Sequence, residues 1–259
     1  MLKTLVTPNA TVDKSVAKIL LGSQLALLIG IWCVSPFVFL PKPMEVIHSF
    51  GDLWSTGILG DILTSLYLDV EAIVFSIVVS LGLAYLTVIP MFENIGLLTG
   101  KLRFSSMVGL TFFFTLMASN GHQLKLYLLV FSISVFFITS MLDVIANIPK
   151  VQYDLARTLR MGEWRILWEV VILGQADKAF DVLRQNAAMG FMLITFVESM
   201  SRSEGGIGAV LLNQNKYFHL SAVFALQIII LAIGIGQDYF IRLMKGLCCP
   251  YAILALEKR

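Results

Sequence analysis

Charge is scarce in this chain. Only 14% of its 259 residues are Asp, Glu, Lys or Arg, whereas 58% are hydrophobic. Soluble domains carry about 25% charged residues, so there is too little polar surface here to cover a globule in water. A bilayer removes that need, because lipid solvates apolar faces. Cysteine is scarce too. Cys33, Cys248 and Cys249 make no disulfide framework. Reduced structural thiols are expected, with palmitoylation of the adjacent pair Cys248 and Cys249 as the alternative. Catalytic signatures are also missing. There is no glycine-rich phosphate loop ending in lysine and no metal-ligand cluster, and His48, His122 and His219 are scattered. Gly205-Gly206-Ile207-Gly208 has no parallel-sheet context, so it reads as a turn or close-packing element rather than a nucleotide site. No cofactor, metal, enzyme chemistry or nucleic-acid partner is therefore expected. Nor is a cleavable signal peptide expected, because the first apolar run is too long for one and lacks a small-residue cleavage site.

What is present is long apolar runs. A helix rises 1.5 Å per residue, so about 20 apolar residues cross a core of roughly 30 Å. Ile19–Leu40 is such a run, and Ala72–Ile89 is a second, preceded by Asp69 and Glu71 and stopped by Pro90. Phe104–Ala118 is shorter and phenylalanine-rich. Leu126–Leu142, Ala187–Met200 and Ala222–Ile235 complete the set, the last extending towards Tyr239. The expectation is an all-α polytopic bundle of about six transmembrane helices, a single domain over residues 1–259.

The cations orient it. With both termini cytoplasmic, only four of the 19 cations, Lys42, Lys125, Arg202 and Lys216, fall in outside segments. The inside segments hold the rest, six of them (Lys150, Arg157, Arg160, Arg165, Lys178 and Arg184) in one loop. The positive-inside rule favours this arrangement. If the short third run did not cross, everything after it would invert and that loop would lie outside. The third run is therefore expected to cross, with residues 1–18 a cytoplasmic segment.

Residues 143–186 form the longest polar stretch. From Ile148 to Asn186 it reads IPKVQYDLARTLRMGEWRILWEVVILGQADKAFDVLRQN. Pro149 suits a helix start. Leu155, Leu159, Ile166 and Val170 recur on one helical face, with Arg157, Arg160 and Glu163 on another. One or two amphipathic helices are expected on the cytoplasmic side. They either lie in the lipid interface, anchored by Trp164 and Trp168, or dock into a groove of another protein. The mixed charge of the polar face favours the protein.

Asp154 to Leu173, DLARTLRMGEWRILWEVVIL, resembles the loop signature of permease subunits of bacterial binding-protein-dependent ABC importers. That signature runs Glu-Ala-Ala, three residues, Gly, nine residues, Ile, one residue, Leu-Pro. The nitrate/sulfonate/taurine-type branch is the nearest in pattern, with Ala156, Arg157, Thr158, Leu159, Trp164, Ile166, Val170 and Val171 in register. Val197-Glu198-Ser199-Met200 is similar to that branch's ending of the fifth helix, and Gly205 to Ala209 to its following small-residue turn. Leu40 to Val46 is similar to the segment after its first helix, and the C-terminal QDYFIRLMKGLCCPYA to its closing segment. The resemblance covers roughly residues 40–255. Departures are the signature Glu as Asp154, the following Ala as Leu155, the Gly as Arg160 and the Pro as Leu173. With Arg160 in place of Gly, the turn is expected to move to Gly162 or be lost.

The resemblance implies a subunit of the bacterial cytoplasmic membrane that binds no nucleotide. It would pair with a second permease, identical or not, over cytoplasmic ATPase subunits. An extracytoplasmic solute-binding protein would deliver a small, anionic solute to the outer loops 41–66, 119–124 and 201–217. Asp154, Leu155, Ala156, Arg157, Leu159, Gly162 and Trp164 are the implied ATPase-coupling residues. Glu198, Asn186 and Gln185 are candidates for the translocation path, with Asn120 and His122 as further polar groups; for Glu198 a structural ion pair or solvent contact is the alternative, and for the others a position facing water. Two other functional readings remain: a secondary transporter or channel, and a degenerate non-transporting partner subunit.

Overall fold

A computed structural model of the protein describes residues 14–34, 40–201 and 204–250. Parts of the first run, of the N-terminal segment and of the closing segment lie outside these residues, as does Arg202. The described chain is helical and contains no strand. In order, the helices are α1 (Lys14–Val34), α2 (Pro43–Ser55), α3 (Ile58–Leu86), α4 (Glu93–Leu102), α5 (Met107–Met117), α6 (Gly121–Ala146), α7 (Lys150–Thr158), α8 (Glu163–Ile166), α9 (Ala176–Met200), α10 (Ile207–Lys216) and α11 (Leu220–Cys248). A π-helical segment, Leu167–Leu173, joins α8 to α9.

Among the described residues, four helices are long and apolar enough to cross a membrane: Ser15–Val34, Ile58–Leu86, Gly121–Ala146 and Leu220–Cys248. The protein is thus a helical membrane bundle. The other two expected runs differ. α5 has 11 residues, about 16 Å of helix. α9 has 25 residues, but its first half carries Asp177, Lys178, Asp181 and Arg184.

α3, α6 and α9 form the centre. Leu68 and Ala72 of α3, Leu129 and Ile133 of α6, and Ile194 and Val197 of α9 are buried together. α3 approaches α6 closely because it presents small residues there. Ser76 and Ser80 are fully buried, and their hydroxyls donate to the carbonyls of Val130 and Ser134, each at 3.4 Å. Such small-residue seams replace the missing hydrophobic drive between helices in lipid. Gly190 serves the same purpose on α9, since a β-carbon there would lie 2.8 Å from Ile133.

The second helix starts earlier than expected. It begins at Ile58, so Asp69 and Glu71 lie inside it rather than before it. The expected outer loop 41–66 is likewise helical: α2 and α10 lie across the ends of α3 and α11, where Val46, Leu53, Ile58, Ile207 and Leu226 form a separate cluster. α1 touches this cluster through Trp32, whose indole donates to the Pro41 carbonyl at 3.0 Å.

α4 and α5 both pack on α6. Gly96 of α4 sits against Leu142, and Phe114 of α5 against Tyr127 and Phe131. α4 thus meets α6 near Leu142 and α5 meets it near Tyr127 and Phe131, the two pieces being separated by residues 103–106.

Candidate functional site

The polar segment between α6 and α9 is a helical hairpin. α7 ends at Thr158, and the chain reverses through a left-handed Arg160 (φ 57°). The Met161 amide donates to the Ala156 carbonyl at 3.2 Å and the Arg160 amide to the Arg157 carbonyl at 2.9 Å. That pair of bonds is a Schellman cap, normally built on glycine at the left-handed position. The turn has therefore not moved to Gly162. It sits at Arg160, while Gly162 is extended and starts α8. Across it Arg157 Nε lies 3.3 Å from Glu163 Oε1, both exposed.

The single apolar face expected of the hairpin is divided by this turn. Ala156, Ile166 and Val171 point inward and are buried. Leu155, Leu159 and Trp164 point outward, at 61, 63 and 75% exposure. Asp154 and Gly162 are exposed beside them. Of the predicted coupling residues, Asp154, Leu155, Arg157, Leu159, Gly162 and Trp164 are exposed and Ala156 is buried. Burial raises the Tyr153 phenol above its ordinary range.

The hairpin is held to the bundle at its far end. The π turn closes with the Gly174 amide on the Glu169 carbonyl at 3.0 Å. A β-carbon at Gly174 would lie 2.6 Å from the Val170 carbonyl oxygen, so only glycine fits there without a shift. Buried Gln175 donates to Gln152 of α7 at 3.4 Å.

A second polar site joins the start of α3, the start of α6 and the end of α9. Glu198 is fully buried. It accepts from the Ser65 hydroxyl at 2.6 Å and from the Gly208 amide at 2.8 Å. The Ser65 oxygen in turn accepts the Ile207 amide at 2.9 Å, and Asp61 accepts the Gly206 amide at 3.0 Å. Buried Lys125 donates to the Gly205 carbonyl at 3.1 Å. Gly205 and Gly206 have φ of 72° and 107°, and a β-carbon at Gly206 would strike the Glu198 carboxylate. The glycine segment is therefore a turn that wraps one carboxylate. Its outer neighbour is His122, which lies 2.8 Å from Glu71 and 3.8 Å from Glu204.

The predicted path residues are not brought together. Glu198 is locked in this turn. Asn186 is buried, with its amide on the Val182 carbonyl at 2.8 Å, and Gln185 is exposed.

Sequence reasoning missed a third site. Asp69 of α3, also buried, accepts from Gln237 of α11 at 2.7 Å. Both residues line an apolar groove of about 850 Å³ between α3, α9 and α11. Asp69 could have been found by extending the apolar pattern of α3 back through Leu66 and Leu63. Gln237 has no such signal.

No family model matches the chain, and no curated protein matches it significantly.

Proposed function

We propose that the chain is the permease subunit of an ABC importer, coupling ATP hydrolysis by a separate ATPase to uptake of a small, anionic solute. In this reading the chain crosses the bacterial cytoplasmic membrane six times with both termini inside. α4 and α5 make the third crossing in tandem, and the second half of α9 makes the fifth. One observation carries the reading. A short helical hairpin joins two bundle helices and leaves Leu155, Leu159 and Trp164 exposed. Its turn is left-handed at Arg160, the position where the resembled signature has glycine. Differential docking of such a hairpin in two ATPase states would move α6 and α9, which it connects. The Glu198 lock then serves as an outer closure, beneath the surface that meets a solute-binding protein.

The test is purification from the native host. A stoichiometric ATPase in the complex supports the proposal. Full substrate flux in liposomes holding this chain alone would sink it. That second outcome would favour an ion-gradient-driven transporter, for which buried Asp69 is the supporting observation.

A further inference from the structure

We propose that Asp69 and Gln237 together bind a proton, closing a cyclic acid–amide pair that ties α3 to α11 within the membrane. Asp69 lies about 17 Å along α3, a helix about 44 Å long. It is 1% exposed. One of its oxygens, Oδ2, takes the Gln237 amide hydrogen. The other, Oδ1, has no partner, and neither has Gln237 Oε1. Both unsatisfied atoms are acceptors, and they belong to two groups already joined by one hydrogen bond. A single proton on Oδ1, donated to Oε1, satisfies both. Buried acceptors left unpaired are costly, and the cost is larger for an ionised carboxylate.

A proton suits these two atoms because each is buried away from solvent. Exchanging the amide oxygen and nitrogen of Gln237 leads to the same place. It would set two acceptors 2.7 Å apart, which again requires a proton between them.

No countercharge replaces it among the described residues. On α3, Asp61 holds the Gly206 amide and Glu71 faces His122. On α11, Asp238 faces Arg184 of α9 at 3.7 Å, and Lys245 faces Asp181 at 2.7 Å. Glu198 of α9 and Lys125 of α6 are engaged in the glycine turn. At the α8 end of the groove Glu169 pairs with Arg165. The other titratable side chain lining the groove is Tyr85. The proton leaves to water when the groove opens, and Asp69 then becomes a carboxylate that water must solvate. The α3–α11 contact is thereby linked to hydration of the groove. This inference does not depend on what drives transport.

Infrared spectroscopy of the full chain in lipid nanodiscs tests it, with aspartates isotope-labelled at the side-chain carboxyl. A protonated-aspartate carbonyl band is expected at neutral pH, lost in Asp69→Asn. Gln237→Leu should keep the band and move it to higher frequency, as its hydrogen-bond partner is removed. Absence of the band from the folded protein, its survival in Asp69→Asn, or an unmoved band in Gln237→Leu overturns the proposal. Should Asp69→Asn not fold, the wild-type band and its shift in Gln237→Leu decide alone.

Discussion

Arg160 carries a conformation that disfavours it. The left-handed region costs a residue with a β-carbon roughly 1–2 kcal/mol, and glycine avoids this at some cost in unfolded-chain entropy. Arg160→Gly should therefore stabilise the turn by about 1 kcal/mol. Hydrogen exchange at the Met161 amide, which closes the cap, should slow by about fivefold. Faster exchange would mean that the turn does not rest on this cap. The sequence placed the turn elsewhere because it weighs residue preference, whereas the chain obeys the register in which the Ala156 and Arg157 carbonyls find their last donors. At the other end of the bundle, Ser65 both donates to Glu198 and accepts from Ile207. Ser65→Ala leaves a buried carboxylate oxygen and a buried amide short of a partner, a loss of about 1–3 kcal/mol. Thermal unfolding in detergent should show it as a lowered midpoint, and an unchanged midpoint would mean that another group fills the gap. Glu198 was visible in the sequence as a carboxylate in an apolar run. Asp61, Ser65 and Lys125 were not, because only folding brings α3 and α6 to it.

Among the elements, the hairpin makes the sharpest division between fold and function. Leu159 is exposed, so Leu159→Asp should leave the bundle folded, with an unchanged elution profile and thermal midpoint. Under the proposed function it should also abolish ATP-dependent uptake in a reconstituted complex and release the ATPase. Retained uptake at wild-type rate would place the coupling surface elsewhere. Ile166→Asp is the control, since it buries a charge where Ile166 is 2% exposed and should unfold the hairpin itself. Apolar periodicity revealed that this segment was amphipathic, yet it joined Leu155 and Leu159 to Ile166 as one face. Periodicity assumes a continuous helix, and Arg160 breaks it. The same assumption failed in reverse at α3, where Asp69 and Glu71 were read as a boundary. Each side chain finds a polar partner, Gln237 for Asp69 and His122 for Glu71, so the helix continues through both.

At the scale of the molecule, direction in the membrane rests on whether the short third run crosses. Helical class and membrane residence were legible because composition alone demands them. The path of residues 93–117 was not, since neither α4 nor α5 is long enough to cross about 30 Å by itself. Both pack on α6, α4 near Leu142 and α5 near Tyr127. If they cross together, Lys42 and Lys178 lie on opposite sides. If they turn back, both lie on the same side and the cationic hairpin faces outward, against the positive-inside rule. Single cysteines at these positions, in a background with Cys33, Cys248 and Cys249 replaced by serine, separate the two. Lys42→Cys in intact cells should react with a membrane-impermeant maleimide. Lys178→Cys should react only after the membrane is permeabilised. Labelling of both in intact cells would invert everything from α6 onward and remove the hairpin from reach of any cytoplasmic ATPase. That result would defeat the coupling proposal by geometry, before any transport is measured.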